Sequence, residues 1–189
     1  MSLVGLVSAE TYVIGGFVVA PHSEPHIISL QKTNHFCGAT VISATHGICA
    51  AHCYYEPSIV TAVVGAHNIL RNESSQVRAP LSEFRKHPEY NSKNVQNDVA
   101  TLKFKRALTL NEYVQPLCPP VAQEAEWMPE GATIHVCGWG NTQIIGRNYP
   151  AELHCVNTKY VPKEICNSRE SYEGVVLDGM FCAGDYGTG

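Results

Sequence analysis

Short apolar segments separated by turn residues recur along the whole chain. Helical periodicity is confined to Cys49–Tyr55 and Pro162–Asn167, each long enough for only one or two turns. The other segments are rich in Val, Ile, Thr and aromatic residues, which suit a pleated, half-buried surface. They are Ile27–Leu30, Thr40–Ser43, Ile59–Val64, Val99–Phe104, Ala132–Val136, Glu152–Tyr160 and Gly179–Cys182. This succession of short strand-like segments and turns predicts an all-β sandwich or barrel.

The composition excludes several classes of function. The 189 residues are 44% hydrophobic, which is enough to bury a core, and only 16% charged. Thirteen basic and 17 acidic residues give a net charge of −4, which argues against a general nucleic-acid or polybasic membrane binder. No apolar run approaches the roughly 18 residues of a transmembrane helix. We therefore predict no nucleic-acid partner, no membrane partner and no cofactor.

The cysteine content indicates the compartment. Eight cysteines are many for a cytosolic chain of this length and suggest an oxidising environment. Asn72-Glu73-Ser74 matches the acceptor pattern for N-glycosylation. Residues 1–12 read either as the end of a signal peptide, cleaved after Ala9, or as a short pro-segment. We predict a secreted, extracellular protein.

One histidine and one aspartate carry the candidate chemistry. His52 follows two alanines and precedes Cys53, so a tight turn could present its ring outward, and a cross-link to Cys37 would pin that turn. Asp98 directly precedes the apolar segment Val99–Phe104, and a partly buried carboxylate at the start of a strand can hold a histidine in one tautomer. The pair would suit general-base catalysis. The alternatives are an ordinary surface or core histidine and an ordinary turn aspartate.

A zinc site is a second alternative near the same histidine. His46, Cys49, His52 and Cys53 are close in sequence and are all residue types that bind zinc. No second ligand pair follows at the usual distance, so the spacing fits a zinc site poorly. We predict no metal site here.

Six motifs, in order, resemble the chymotrypsin/trypsin family of serine endopeptidases. They are Val13-Ile14-Gly15-Gly16, His35-Phe36-Cys37-Gly38-Ala39, Ala50-Ala51-His52-Cys53, Asn97-Asp98-Val99-Ala100, Cys137-Gly138-Trp139-Gly140-Asn141-Thr142 and Met180-Phe181-Cys182-Ala183-Gly184. The resemblance implies a peptidase domain over 13–189 with two antiparallel Greek-key, six-stranded barrels. The first would span 13–105, and the second, over 106–189, would be incomplete. It also implies a zymogen whose mature N-terminus is Val13.

The resemblance implies a secreted serine endopeptidase that acts on proteins or peptides and is open to protein protease inhibitors. His52 would be the general base and Asp98 the orienting acid. The family's serine lies about 93 residues after the aspartate, which falls near or beyond position 191. The printed sequence ends at Gly189, so we expect the chain as written to lack the nucleophile and to be inactive. The alternative function is a non-catalytic protease homologue that acts as a binding module.

The same resemblance assigns the cysteines. It pairs Cys37 with Cys53 and Cys166 with Cys182. It leaves four thiols without an obvious partner, of which Cys49 stands where the family usually has a hydroxyl residue and is expected to remain a thiol. The four are Cys49, Cys118, Cys137 and Cys155.

Calcium binding in some family members uses carboxylates of a loop that matches residues 65–76. Ala66 stands where those members carry an acid, which leaves only Glu73. One carboxylate is too few for a site of about six to eight oxygens, so we predict no calcium site.

Overall fold

The computed structural model describes residues 13–119, 128–143 and 145–184. The expected leader or pro-segment, residues 1–12, lies outside the described residues. No helix in the described ranges has the length and apolar character needed to cross a bilayer.

β-Strands dominate the described ranges, where helical structure is limited to the 3-10 turns Ala51–Cys53 and Pro57–Ile59 and the α-helix Lys163–Cys166. The strands are β1 Phe17–Val18, β2 Ile27–Gln31, β3 His35–Val41, β4 His46–Cys49, β5 Thr61–Val64, β6 Val77–Lys86, β7 Ala100–Phe104, β8 Thr133–Gly138, β9 His154–Val161 and β10 Cys182–Ala183. The predicted all-β class is confirmed.

Strands β2 to β7 form a closed antiparallel barrel in the order β2-β3-β4-β7-β6-β5. Strand β5 returns to pair with β2 after the β2-β3-β4 meander, which is a Greek-key connection. The barrel encloses one apolar core whose central side chains, Leu30, Val41 and Leu102, are fully buried. Closure also leaves this sheet without an edge strand.

The second sheet contains four described strands. Strand β9 pairs with β1, β8 and β10, so this half is an incomplete barrel, as predicted. Strand β1 pairs Phe17 with Cys155, and the predicted first-barrel range, 13–105, therefore includes one strand that lies in the second sheet. Gly16 makes this approach possible, because a Cβ there would lie 2.9 Å from the Val13 oxygen and 3.0 Å from the Cys155 oxygen.

Trp139 links the two halves. Its side chain is fully buried, and its Nε1–H donates to the backbone oxygen of His67 at 3.1 Å. The His35 ring, from β3, packs edge-on against the indole with centroids 5.5 Å apart. Burial lowers the pKa of His35 to about 4, so this ring is neutral at pH 7. Its Nδ1 lies 2.8 Å from Ser29 Oγ.

Three disulfides are present. Cys37–Cys53 and Cys166–Cys182, the two predicted pairs, have Cα atoms 6.2 and 6.5 Å apart. The third joins Cys137 to Cys155, and the prediction that these two lack a partner was wrong. Strands β8 and β9 place them directly opposite each other with Cα atoms 4.1 Å apart, so each neighbouring strand supplies the partner of the other. Cys49 and Cys118 are free thiols.

The barrel core generates a stability prediction. Leu102→Ala should lower the free energy of unfolding by about 2–5 kcal/mol, because it removes a fully buried side chain from a closed core. Leu70→Ala, at a side chain that is 78% exposed, should change it by less than about 0.5 kcal/mol. Urea unfolding followed by circular dichroism measures both. Equal effects of the two substitutions would contradict the described core.

Candidate active site

His52 lies at the centre of the 3-10 turn that follows β4. Ala51 is buried on one side of it, and Cys53 is buried on the other and bonded to Cys37 of β3. The small Ala51 fills the buried position before the histidine, and the disulfide fixes the position after it. The turn therefore holds the His52 backbone against the barrel and leaves the imidazole 28% exposed.

Asp98 reaches the same place from the segment that precedes β7. Asn97 has a φ of 56°, a left-handed conformation that asparagine tolerates better than most residues. Its side-chain amide donates to the Glu89 oxygen at 3.1 Å and holds the turn. Two residues after Asp98, Ala100 pairs with Cys49 across β7 and β4. This pairing brings the start of one strand to the end of the other, and with it the aspartate to the histidine.

Both oxygens of Asp98 contact His52. The backbone N–H of His52 donates to Oδ1 at 2.8 Å, and Nδ1 lies 2.6 Å from Oδ2. An ionised carboxylate only accepts hydrogen bonds, so Nδ1 carries the proton and Nε2 of the neutral ring keeps its lone pair. Because both oxygens of the carboxylate bind His52, Asp98 fixes the tautomer and the orientation of the ring.

Nε2 of His52 has no hydrogen-bond partner within the described ranges, so it is available to a group that approaches from solvent. The arrangement does not support the zinc alternative. Cys53 is oxidised in its disulfide with Cys37 and offers no thiolate, and His46 Nδ1 lies 2.8 Å from Thr45 Oγ1.

Comparisons with known proteins assign the family. The family model described as Trypsin matches residues 13–189. The chain is 36% identical over 172 residues to Trypsin-2 of Salmo salar, covering 91% of this chain and 71% of that protein. It is 34% identical over 183 residues to Trypsin-10 of Gadus morhua, covering 96% and 72%. The chain belongs to the trypsin family. The resemblance carried by the six motifs is thus confirmed. The trypsin of Xenopus laevis is a further relative, 35% identical over 172 residues that cover 91% of this chain and 67% of that protein.

Val13, the residue predicted to be the mature N-terminus, is packed inside the protein. Its side chain is fully buried, and its backbone nitrogen donates to the Asn141 oxygen at 2.8 Å. The Asn141 side chain, itself buried, accepts from the backbone N–H groups of Gln143 and Asn148. Burial and these hydrogen bonds hold Val13 in place, while cleavage before this residue stays a prediction.

Two groups beside Asp98 were not assigned a role from sequence. Cys49, at the end of β4, is half-buried, and its thiol donates to the Ala50 oxygen at 3.4 Å. Burial, reinforced by the negative charge of Asp98, raises the pKa of Cys49 to about 12. The same two causes raise the pKa of Tyr90. The left-handed Asn97 was missed as well, although an asparagine before the aspartate was a usable signal for a turn.

The loop of residues 65–76 is organised by Glu73. Its carboxylate accepts from the backbone N–H of His67 at 2.7 Å and of Asn68 at 3.2 Å, and from the amide of Gln76 at 3.2 Å. Burial raises the pKa of Glu73, but these hydrogen bonds outweigh burial and the net pKa is lowered. Asn72 lies exposed in the same loop, and its glycosylation stays a prediction.

The contacts of Asp98 predict the tautomer of His52. When the ring is neutral, nitrogen NMR should show the proton on Nδ1. In Asp98→Asn the new amide can donate to Nδ1, so the proton should move to Nε2. Asp178→Asn, at an exposed partner of Lys163, is the control and should leave the His52 signals unchanged. A proton on Nε2 in the unmodified protein would contradict the assignment.

The environment of Cys49 predicts its reactivity. A pKa of about 12 instead of 9.0 lowers the thiolate fraction at pH 8 about a thousand-fold. Iodoacetamide should therefore label the exposed Cys118 and leave Cys49 unmodified until the protein is unfolded. Mass spectrometry of the peptides locates the label. The variant Cys118→Ser should take up no label when folded, and rapid labelling of Cys49 in that variant would refute the prediction.

Proposed function

We propose that this trypsin-family protein is a secreted serine endopeptidase in which His52 and Asp98 form two members of the catalytic triad. The observation that carries the proposal is the double contact of Asp98 with the Nδ1 and the backbone N–H of His52. This contact leaves the Nε2 lone pair available, which is the requirement for a general base.

The proposed mechanism follows from the fixed tautomer. Nε2 of His52 takes the proton of a serine hydroxyl as that oxygen attacks the scissile carbonyl of a protein or peptide substrate. The imidazolium that forms is stabilised by the negative charge of Asp98. His52 then donates the same proton to the leaving amine, and in the second half-reaction it activates water. Without Asp98 the ring could present a protonated Nε2, which cannot act as a base.

The proposal requires a nucleophile that the printed sequence does not supply. Ser168 and Ser171 precede the Met180–Gly184 motif and lie outside any Gly-Asp-Ser-Gly-Gly context. We propose that the serine, and the backbone N–H groups of the oxyanion hole beside it, belong to sequence that follows Gly189. The same sequence would contain the pocket that selects the substrate side chain.

The cysteines support the proposed localisation. Six of the eight form disulfides, which persist in oxidising compartments. In such a compartment the protein would meet extracellular protein substrates and protein protease inhibitors. Activation by cleavage before Val13 belongs to the same proposal.

The function is tested with the chain extended through its natural downstream sequence and starting at Val13. This protein should hydrolyse peptide esters and react with a fluorophosphonate. His52→Ala should lower kcat about 10⁶-fold, because it removes the general base. Asp98→Asn should lower kcat about 10⁴-fold, because the histidine then adopts the wrong tautomer. His154→Gln, a histidine on β9 whose Nδ1 contacts the Glu152 oxygen, is the control and should change kcat less than twofold.

The outcome also decides between the two functions. An extended protein that folds, contains no serine reactive toward the fluorophosphonate and turns over no ester would overturn the proposal. That result would favour the non-catalytic homologue that acts by binding.

A further inference from the structure

A groove with basic walls lies on the first barrel, at the end of β7 that is opposite to Asp98. It has a volume of about 450 Å³ and is formed by the first residues of β6 and the segment that follows β7. Its nine lining residues include three cations and no acid. They are Val77, Arg78, Ala79, Pro80, Lys105, Arg106, Ala107, Leu108 and Thr109. Because the whole chain has a net charge of −4, this positive charge is a local property of the groove.

The three cations of the groove have no anionic partner in the described part of the chain. None of them lies within ion-pair distance of a carboxylate there. Two other basic side chains of β6 and β7 are paired, since Arg85 and Lys103 contact Glu83 at 2.7 and 3.3 Å. The positive charge of the groove is therefore available to a ligand.

Arg78 is held in place by a buried chain of polar side chains. Its Nη1 donates to Gln31 Oε1 at 3.1 Å, and Gln31 Nε2 donates to Ser29 Oγ at 3.1 Å. Gln31 and Ser29 are both buried in the barrel. An amide oxygen orients the guanidinium without neutralising its charge. Because a guanidinium has five N–H donors, Arg78 can still bind a carboxylate of a ligand.

The opposite wall of the groove is fixed by backbone hydrogen bonds. The N–H of Lys105 donates to the Pro80 oxygen at 2.8 Å, and the N–H of Leu108 donates to the Ala44 oxygen at 2.7 Å. Leu108 also belongs to the barrel core. Apolar surface is present beside the charges, since the side chain of Val77 is 43% exposed. A groove whose walls are already in place loses little conformational freedom when a ligand binds.

The combination of unpaired cations and apolar surface selects the chemistry of the ligand. Carboxylates complement the three cations, and an apolar side chain complements the exposed Val77. An acidic stretch of polypeptide supplies both kinds of group, whereas a sulfated polysaccharide or an inorganic anion supplies only charge. We propose that this groove binds an acidic peptide segment of a partner protein. Its carboxylates contact Arg78, Lys105 and Arg106, and an apolar side chain of the segment covers Val77.

The proposed contact is separate from the candidate active site. Asp98 lies two residues before β7, and Lys105 directly follows β7. The five residues of this strand span about 17 Å. A peptide segment in the groove would therefore leave His52 accessible. Binding at the groove can be measured without catalysis, so its failure would not bear on the proposed peptidase activity.

The experiment uses the 189-residue chain with its disulfides intact and, as probe, a fluorescent dodecapeptide of alternating glutamate and leucine. Fluorescence anisotropy should show saturable binding that weakens about tenfold between about 50 and about 500 mM NaCl. Arg78→Gln, Lys105→Gln and Arg106→Gln should each weaken binding about two- to fivefold, and the triple variant at least about tenfold. Arg85→Gln and Lys103→Gln, at paired cations of the same two strands, are the matched controls and should change it less than about twofold.

A second peptide, of alternating glutamate and serine, tests the apolar contact. It should bind several-fold more weakly than the first, and Val77→Ser should weaken only the binding of the leucine peptide. Equal binding of both peptides would overturn the proposal in favour of a site for anions in general. Binding of a heparin oligosaccharide without binding of either peptide would assign the groove to a polysaccharide.

Two further results would also refute the proposal. One is the absence of salt-sensitive binding by the unmodified chain. The other is a loss of binding in His52→Ala with retention in the triple variant, which would place the peptide at the active site. All of the substituted groove cations are exposed, and circular dichroism establishes that each variant is folded.

Discussion

The carboxylate of Asp98 connects two segments that are 46 residues apart in the chain. One oxygen is bound by a backbone N–H and the other by a ring nitrogen of His52, so the contact depends on backbone position as much as on the side chain. Three neighbouring features support this alignment. The Cys37–Cys53 disulfide fixes the turn of His52, the β4–β7 pairing fixes the approach of Asp98, and the left-handed φ of Asn97 belongs to the turn directly before Asp98. The barrel strands that flank the His52 turn and the Asp98 segment therefore set the geometry of the pair.

The sequence predicted most of the strands, both one that is buried throughout, β2, and one whose burial alternates, β7. Six of the seven apolar runs overlap a strand substantially, and the two expected helical segments contain the 3-10 turn at His52 and the helix Lys163–Cys166. Strand β6 was missed because Pro80 and several charged residues interrupt it. A register shift between Leu81 and Glu83 then places Phe84 in the core, which breaks the alternation that a regular strand would show.

The Cys137–Cys155 disulfide could not be predicted from the family resemblance and follows from the pairing of two strands. Cys137 and Cys155 are 18 residues apart, and nothing in their spacing states that β8 and β9 are neighbours in this register. Once the strands pair, the bond follows from proximity. His52 and Asp98, in contrast, could be named in advance because their local sequences are specific. The contact between them and the raised pKa of Cys49 arise only from the folded chain.

The closed barrel has a consequence for local unfolding. Since each of its strands is paired on both sides, no strand can detach without breaking two ladders, and its amides should be the slowest in the molecule to exchange with deuterium. The strands β1 and β10 have two residues each and, within the described ranges, pair with β9 alone, so they should open at much lower free energy. His52 and Asp98 belong with the slow-exchanging unit, so the pair should stay assembled in native-like states whose second sheet has already come apart.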